Sequence, residues 1–395
     1  MSMDFSDLTL GRRDLTRLAT AAAAAVGAVG AAARPSAGAP VTGHRHRLRR
    51  DSGVDALDLS LAALPGLARR SDGVRTPVIE TDPFTALGVT WQRGDGQVRA
   101  RWRLRSGGWT DWRRLPRVGH GPDPASPEGA GARAATDLVW TEPSDAVQVE
   151  LSGDHRDPVL ALLRPRRLAA DLAAERHTSP RFDRDAARST GAVPTPVLLY
   201  RKAWSPNPRL RNGRPVYNRR IRQVHIHHTV NSNDYRRADV PGMIRAMYRY
   251  HTRSLGWSDI GYNFLVDRFG RLWVGRAGGP RRPVRGAHTL GFNHASVGVA
   301  AIGSFERSEV RKPMIRALVR IASWKLDAYD GRPRRKIWIR SDGSDLYPAG
   351  DLVELPTIDG HRDTNATACP GRHLYRALPM VRRRTARRIR KFRAQ

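Results

Sequence analysis

The sequence predicts two folded domains of different class: a small antiparallel β-sandwich over residues 78–165 and an α/β domain over residues 198–395. Three observations carry this expectation. Short period-two stretches separated by turn residues fill 78–163, whereas from Leu198 onward such stretches alternate with helix-period segments. Between them, residues 166–197 are first Arg/Ala-rich and then Thr/Pro-rich, which is a linker composition. The chain has 395 residues, 40% of them apolar, enough for two cores and incompatible with wholesale disorder.

The first 40 residues predict an export signal. Arg12-Arg13 precedes a weakly apolar, Ala-rich run at 18–33, followed by small residues at 31–33 and 37–39 suited to cleavage. The arginine pair followed by Asp14-Leu15 resembles a twin-arginine signal, so a secreted or cell-wall location is expected. The run is too short and too rich in alanine for a membrane span, and no transmembrane segment is expected in the mature form. Residues 41–77 read as a polar, Arg-rich segment with one apolar stretch at 57–67.

In the β region, strands are expected at 86–91, 98–105, 109–115 and 146–151. Val98, Ala100, Trp102 and Leu104 alternate with Arg99, Arg101, Arg103 and Arg105, the pattern of a half-buried strand with arginines outward. Asp95-Gly96 between two such runs predicts a hairpin. Trp91, Trp102, Trp109, Trp112 and Trp140 are expected in the core. In the α/β region, strands are expected at 223–230 and 296–302, with a hairpin of 262–267 and 272–276 around 268–271. Helices are expected at 239–252, with Asp239 as cap and Pro241 in the first turn, and at 313–329, with Ile315, Leu318, Val319, Ala322 and Leu326 on one face. Residues 331–356 read as an excursion with turns, and 373–392 as a basic helix.

Charge narrows the partners. There are 69 Lys+Arg against 37 Asp+Glu, a net +32, and only five of the basic residues are lysine. Such a chain is attracted to polyanions, whether nucleic acid, anionic lipid or an acidic cell-wall polymer. Residues 372–395 carry ten Arg/Lys and no acid, with Tyr375, Leu378, Val381, Ile389 and Phe392 placed to face the fold. Two readings stand for this helix: a solvated amphipathic end of the fold, or electrostatic retention on an anionic cell-wall polymer. Nucleic acid is not an expected partner, because the chain carries an export signal and no helix-turn-helix, RRM or OB signature. A single cysteine excludes an intramolecular disulfide and any zinc finger that needs two thiolates.

That cysteine is chemically the most informative residue. Cys369 follows His361 by eight residues, and upstream the strand around 224–229 carries His225, His227 and His228. On a strand, His225 and His227 share one face and His228 the other. Two imidazoles and a thiolate suit tetrahedral Zn²⁺ with one position open for water. Spacing by itself leaves other readings open: a Cys–His nucleophilic hydrolase, or a buried structural cysteine among ordinary histidines. It also does not choose between His225 and His227.

Four segments carry a resemblance. They are 224–230, Trp257-Ser258-Asp259-Ile260-Gly261-Tyr262-Asn263-Phe264, Gly286-Ala287-His288-Thr289-Leu290-Gly291-Phe292-Asn293, and 360–371. In this order and spacing they resemble the peptidoglycan recognition protein family, zinc N-acetylmuramoyl-L-alanine amidases of the type-2 amidase fold, over about residues 199–395. The region 78–163 resembles the domain found ahead of such amidases in secreted actinobacterial proteins. The resemblance implies a mixed central sheet flanked by helices, with Zn²⁺ held by His227, His361 and Cys369. It implies that Tyr262 and Thr367 are catalytic, and that His288, Asn293 and His228 line the substrate groove. It implies hydrolysis of the amide between N-acetylmuramic acid and L-alanine in bacterial peptidoglycan. Family members that only bind peptidoglycan commonly lack the cysteine, which favours an enzyme here. The alternatives are a non-catalytic peptidoglycan-binding or sensing protein and, behind it, a polyanion binder.

Overall fold

Two long strands, Ile79–Trp91 and Val139–Ser152, organise the first domain of the computed structural model, which describes residues 45–176 and 191–394. The expectations for the export signal at 1–40 and for linker residues 177–190 lie outside the described residues. The two long strands pair antiparallel. On the far side of Ile79–Trp91 comes Val159–Pro165, then Val54–Ser60, then Arg49–Asp51. On the other flank, Gly73–Arg75 and Ala68–Arg70 extend the sheet, giving ten antiparallel strands in all. Residues 49–75, expected as a polar segment, therefore supply four strands. Two of them, Arg49–Asp51 and Ala68–Arg70, are edge strands and bury little. Phe84, Leu87, Val89, Val98, Ala100, Val147, Val149, Leu160 and Leu162 share one core.

The Asp95-Gly96 hairpin does not form. Gln97–Leu104 pairs with Val139–Ser152, not with Ile79–Trp91. Residues 92–93 instead bond to Arg156, and the chain crosses over the end of Val139–Ser152. Gly96 is required there by close approach, since a Cβ would lie 2.1 Å from the Ser152 carbonyl oxygen. The alternation along Gln97–Leu104 is as expected, with Val98, Ala100 and Trp102 buried. Trp91 and Trp102 are core residues, but Trp109 and Trp112 are not. They lie beneath guanidinium groups of Arg75, Arg99 and Arg101 on the outer face.

The second domain is built on a six-stranded mixed sheet in the order Leu198–Leu199, Leu272–Val274, Phe264–Val266, Ser296–Ala301, Gln223–His228, Ile358–Gly360. Only the hairpin Phe264–Val266/Leu272–Val274 is antiparallel. Even-numbered positions of Gln223–His228 (Val224, Ile226) join the core under helices Lys312–Asp327 and Arg372–Arg393. The odd-numbered His225 and His227 face the side covered by helix Val240–Arg249, whose Val240, Met243, Ile244 and Met247 pack over Leu265, Trp273 and Ala300. The terminal helix buries Leu374, Leu378, Val381, Thr385, Ile389 and Phe392 and turns Arg383, Arg384, Arg387 and Arg390 to solvent. The excursion at 331–356 is an antiparallel hairpin, Lys336–Arg340 with Leu352–Pro356.

The two domains share a core. Ala56, Ala86, Ala161 and Leu163 of the β domain pack with Ala246, Tyr250, Leu255 and Trp257. Arg249 reaches Asp58 at 2.7 Å, and Tyr250 Oη donates to the Thr136 carbonyl at 2.7 Å. The described residues belong to one compact unit. Among them no helix is long and apolar enough to cross a membrane.

Candidate metal centre

His227 sits near the end of the central strand, where its imidazole leaves the sheet on the side of helix Val240–Arg249. His361 opens the 3-10 turn His361–Asp363 directly after strand Ile358–Gly360, the parallel neighbour of the histidine strand. Cys369 lies in the loop ahead of helix Arg372–Arg393 and accepts a hydrogen bond from the His228 N–H at 3.4 Å. Gly360 and Gly371 permit this approach. A Cβ on Gly360 would fall 2.8 Å from Pro370 and Tyr375, and Gly371 has φ 87°. Hairpin 336–356 braces the same loop, because Asp345 accepts hydrogen bonds from Asn365 Nδ2 at 3.0 Å and from the Ala366 N–H at 2.9 Å.

One donor atom from each of His227, His361 and Cys369 lies within 4.8 Å of the other two, and all three residues are buried. His227 Nδ1 is 3.8 Å from Cys369 Sγ, close to the about 3.5 Å edge of a tetrahedral zinc site with ordinary bond lengths. His361 Nε2 is buried with no protein partner, an orphaned donor atom that a cation would satisfy. Burial holds both imidazoles well below their usual range, so each is a neutral ligand. Burial also pushes the Cys369 thiol up. An activated nucleophile needs the opposite shift, whereas a bound cation stabilises the thiolate outright. The donor set fits Zn²⁺ and does not fit a thiolate nucleophile.

His225 is accounted for elsewhere. Its Nδ1 is 2.9 Å from Asp359 on the adjacent strand, both side chains fully buried. The competition between His225 and His227 is thus decided by the carboxylate that the fold brings to His225.

His288 and Asn293 correct an expectation, for neither lines a groove. Both have no exposed surface. His288 Nδ1 lies 3.1 Å from His227 Nε2, behind the donor trio, and its own Nε2 lies 3.4 Å from Ser296 Oγ. A ligand histidine is oriented by a partner on its far nitrogen, and that partner is necessarily buried. Asn293 accepts hydrogen bonds from the backbone N–H groups of His288 and Thr289 and donates to Gly121 and Asp123 of the β domain. His228, by contrast, does line the cavity, with its Nδ1 accepting the Phe305 N–H at 3.4 Å.

Above the trio opens a cavity of about 830 Å³. Tyr262 and Thr367 both line it. The Tyr262 ring is 5.5 Å from that of His227, and burial pushes its phenol up, so the hydroxyl stays protonated as a donor. Thr367 Oγ1 accepts the Cys369 N–H at 3.2 Å.

A sequence profile described as N-acetylmuramoyl-L-alanine amidase matches residues 217–372, and one described as Rv3811 N-terminal galactose-binding domain-like matches residues 45–181. The chain is 31% identical over 153 residues to peptidoglycan-recognition protein SC1a of Drosophila melanogaster, covering 39% of this chain and 69% of that protein. To a second peptidoglycan-recognition protein, from Drosophila simulans, it is 32% identical over 184 residues, covering 46% of this chain and 85% of that one. The chain belongs to the peptidoglycan-recognition protein family. Among solved structures, the complex of ectodomains LCa and LCx of that family with tracheal cytotoxin matches at 26% identity, covering 46% of this chain and 94% of that one, with a TM-score of 0.37.

Sequence reasoning missed the residues that the β domain brings to the cavity. His120 Nε2 is 3.2 Å from Tyr262 Oη, and the two rings stack at 5.3 Å. Asp137 also faces the cavity. Both lie outside the 217–372 match. The one local signal was Gly119-His120-Gly121, a histidine between glycines in a loop that reads as a connector.

Proposed function

We propose that the protein is a zinc-dependent N-acetylmuramoyl-L-alanine amidase that cleaves the amide between N-acetylmuramic acid and L-alanine in bacterial peptidoglycan. The observation that carries this is the convergence of His227, His361 and Cys369, with an orphaned His361 Nε2, beneath a cavity lined by Tyr262 and Thr367. A recognition protein has no need of three buried donors aimed at one point.

Zn²⁺, when bound, supplies a Lewis acid for the amide carbonyl and lowers the pKa of water towards ~7. His227, His361 and Cys369 would hold it. Tyr262, kept protonated by burial, donates towards the oxygen that gains charge as the carbonyl carbon becomes tetrahedral. Thr367, tied to the Cys369 N–H, keeps the loop closed beside the reacting carbonyl. The cavity of about 830 Å³ admits a muropeptide end and excludes bulk wall polymer from the donor trio.

The same reading has the protein exported through Arg12-Arg13 and retained near the wall by the outward arginines of helix Arg372–Arg393. The decisive experiment incubates zinc-loaded protein with isolated peptidoglycan and quantifies new L-alanine α-amines. A chelator-sensitive rise supports the amidase. Tight binding without a rise would make the protein a peptidoglycan-binding protein that kept its donor set.

A further inference from the structure

Part of the cavity wall around the metal centre belongs to the β domain. Thr136 and Asp137 connect the short strand Ala134–Ala135 to Val139–Ser152, and their backbone is held from three sides. The Thr136 N–H donates to Val89, the Asp137 N–H donates to Pro116 at 2.8 Å, and the Thr136 carbonyl accepts from Tyr250 of the amidase domain. On this frame Asp137 lines the cavity, and its carboxylate makes no hydrogen bond or ion pair among the described residues. In a chain with an excess of 32 positive charges, an unpaired carboxylate calls for a reason.

Its surroundings supply one. Asp137 lines the same cavity as Tyr262, His361 and Cys369, and its charge disfavours ionisation of Tyr262 and Cys369. The other two carboxylates of the wall and three of its histidines are engaged. Asp95 pairs with Arg117, and Glu306 accepts from the Arg372 N–H. His228 Nδ1 accepts from Phe305 and His251 Nδ1 from Gly261, while His120 bonds Tyr262. We propose that Asp137 is the proton-transferring carboxylate of the hydrolysis, so that the catalytic site is shared between the two domains.

This rests on the amidase reading above. The carboxylate takes a proton from the attacking water as the water oxygen bonds to the carbonyl carbon. The same proton passes to the alanine nitrogen as the C–N bond breaks. The products are the free lactyl carboxylic acid and a free amine, and Asp137 returns ionised. Without a bound cation, enclosure in the cavity raises its carboxyl to about 7, towards the range suited to accepting and returning a proton. His120, from the same domain, fixes the Tyr262 hydroxyl and is a positioning residue.

The test compares the full chain with Asp137→Asn and Asp137→Glu. Three quantities are read: zinc per chain, calorimetric affinity of the chelator-treated protein for N-acetylmuramoyl-L-alanyl-D-isoglutamine, and release of the isoglutamine dipeptide by the zinc-loaded protein. Asp137→Asn should keep its zinc and its affinity while turnover falls by about 10²–10⁴-fold, the usual worth of a general acid–base group. Asp137→Glu should recover part of that loss. Unimpaired turnover in Asp137→Asn overturns the proposal. A fall in zinc or affinity that matches the fall in turnover also overturns it, by making Asp137 structural. If the unsubstituted chain releases nothing, the amidase reading fails and the proposal falls with it, an outcome separate from failure of the variant alone.

Discussion

Burial of Cys369 has opposite consequences depending on what faces it. With protein alone its thiol is pushed up and inert; facing a divalent cation beside two neutral imidazoles, it becomes the strongest ligand of the set. His227→Ala, His361→Ala and Cys369→Ala should therefore each lose zinc together with activity, as read by metal analysis of the purified variants. Full zinc occupancy in any of the three would remove that residue from the site. Tyr262→Phe should keep its metal and lose about 10²–10³-fold in turnover, the cost of one oxyanion donor. His288→Ala should weaken zinc binding about 10–100-fold, because His227 would lose the partner that fixes its ring. A competition titration against a chromophoric chelator measures that loss. The donor residues were legible in the sequence through the family resemblance, since residue type and spacing left His225 and His227 undecided. The burial of His288 was not, since it depends on Gly298 from another strand, where a Cβ would sit 2.4 Å from the imidazole.

Elements carry their own lesson about range. The helices and the hairpin around 268–271 were readable because their apolar period is local. Helix Arg372–Arg393 buries Leu378, Val381, Ile389 and Phe392 as its spacing requires, and adds Leu374. The Asp95-Gly96 turn misled for the converse reason. Glycine there answers a through-space contact with Ser152, and a local turn signal cannot distinguish that from a hairpin. Arg49–Asp51 and Ala68–Arg70 lacked a two-faced pattern because edge strands bury less. Helix Asp171–Arg176, in the expected linker, is fastened by a buried pair, Asp171 Oδ1 to Arg245 Nη1 at 2.7 Å. Asp171→Ala would leave the Arg245 charge enclosed and uncompensated, so it should cost about 3–5 kcal/mol. Urea unfolding monitored by tryptophan fluorescence reads that value, and an unchanged midpoint would contradict it.

For the whole molecule, the decisive fact is that two domains close one cavity. Tyr250 reaches across so tightly that a Cβ on Gly88 would meet its hydroxyl at 2.4 Å. Gly88→Ala should thus loosen the domain contact and lower stability by about 1–3 kcal/mol, the usual cost of overpacking. The clustered histidines also set a pH dependence. Burial holds His120 and His228 down at about 4 and holds His227, His251, His288 and His361 well below 6.5. The unfolded chain therefore binds protons near pH 6.5 that the folded chain does not. Their stabilisation is fully present above pH 6.5 and is lost as pH falls towards the folded values, by up to about 1.4 kcal/mol per pH unit per histidine. Asp123, Asp137 and Asp359, whose carboxyls are raised, act in the opposite sense, but six imidazoles outnumber three carboxyls. Chelator-treated protein should accordingly lose unfolding free energy between pH 6.5 and pH 5, and a flat profile in urea melts would refute the assignment of buried neutral histidines.

By itself the sequence determined the α/β class of the second domain, its helices, the likeness to the peptidoglycan-recognition family and the chemical identity of the donors. The class and the helices follow from periods of a few residues, and the likeness and the donors it implies from four motifs read in order along the chain. Only the tertiary structure decided that His225 belongs to Asp359, that His288 stands behind His227, and that His120 and Asp137 enter the cavity from the other domain. Those relations join residues brought together by packing, 61 positions apart for His227 and His288 and 142 for His120 and Tyr262. At such separations no local propensity acts, and only the burial of a shared core chooses the neighbours.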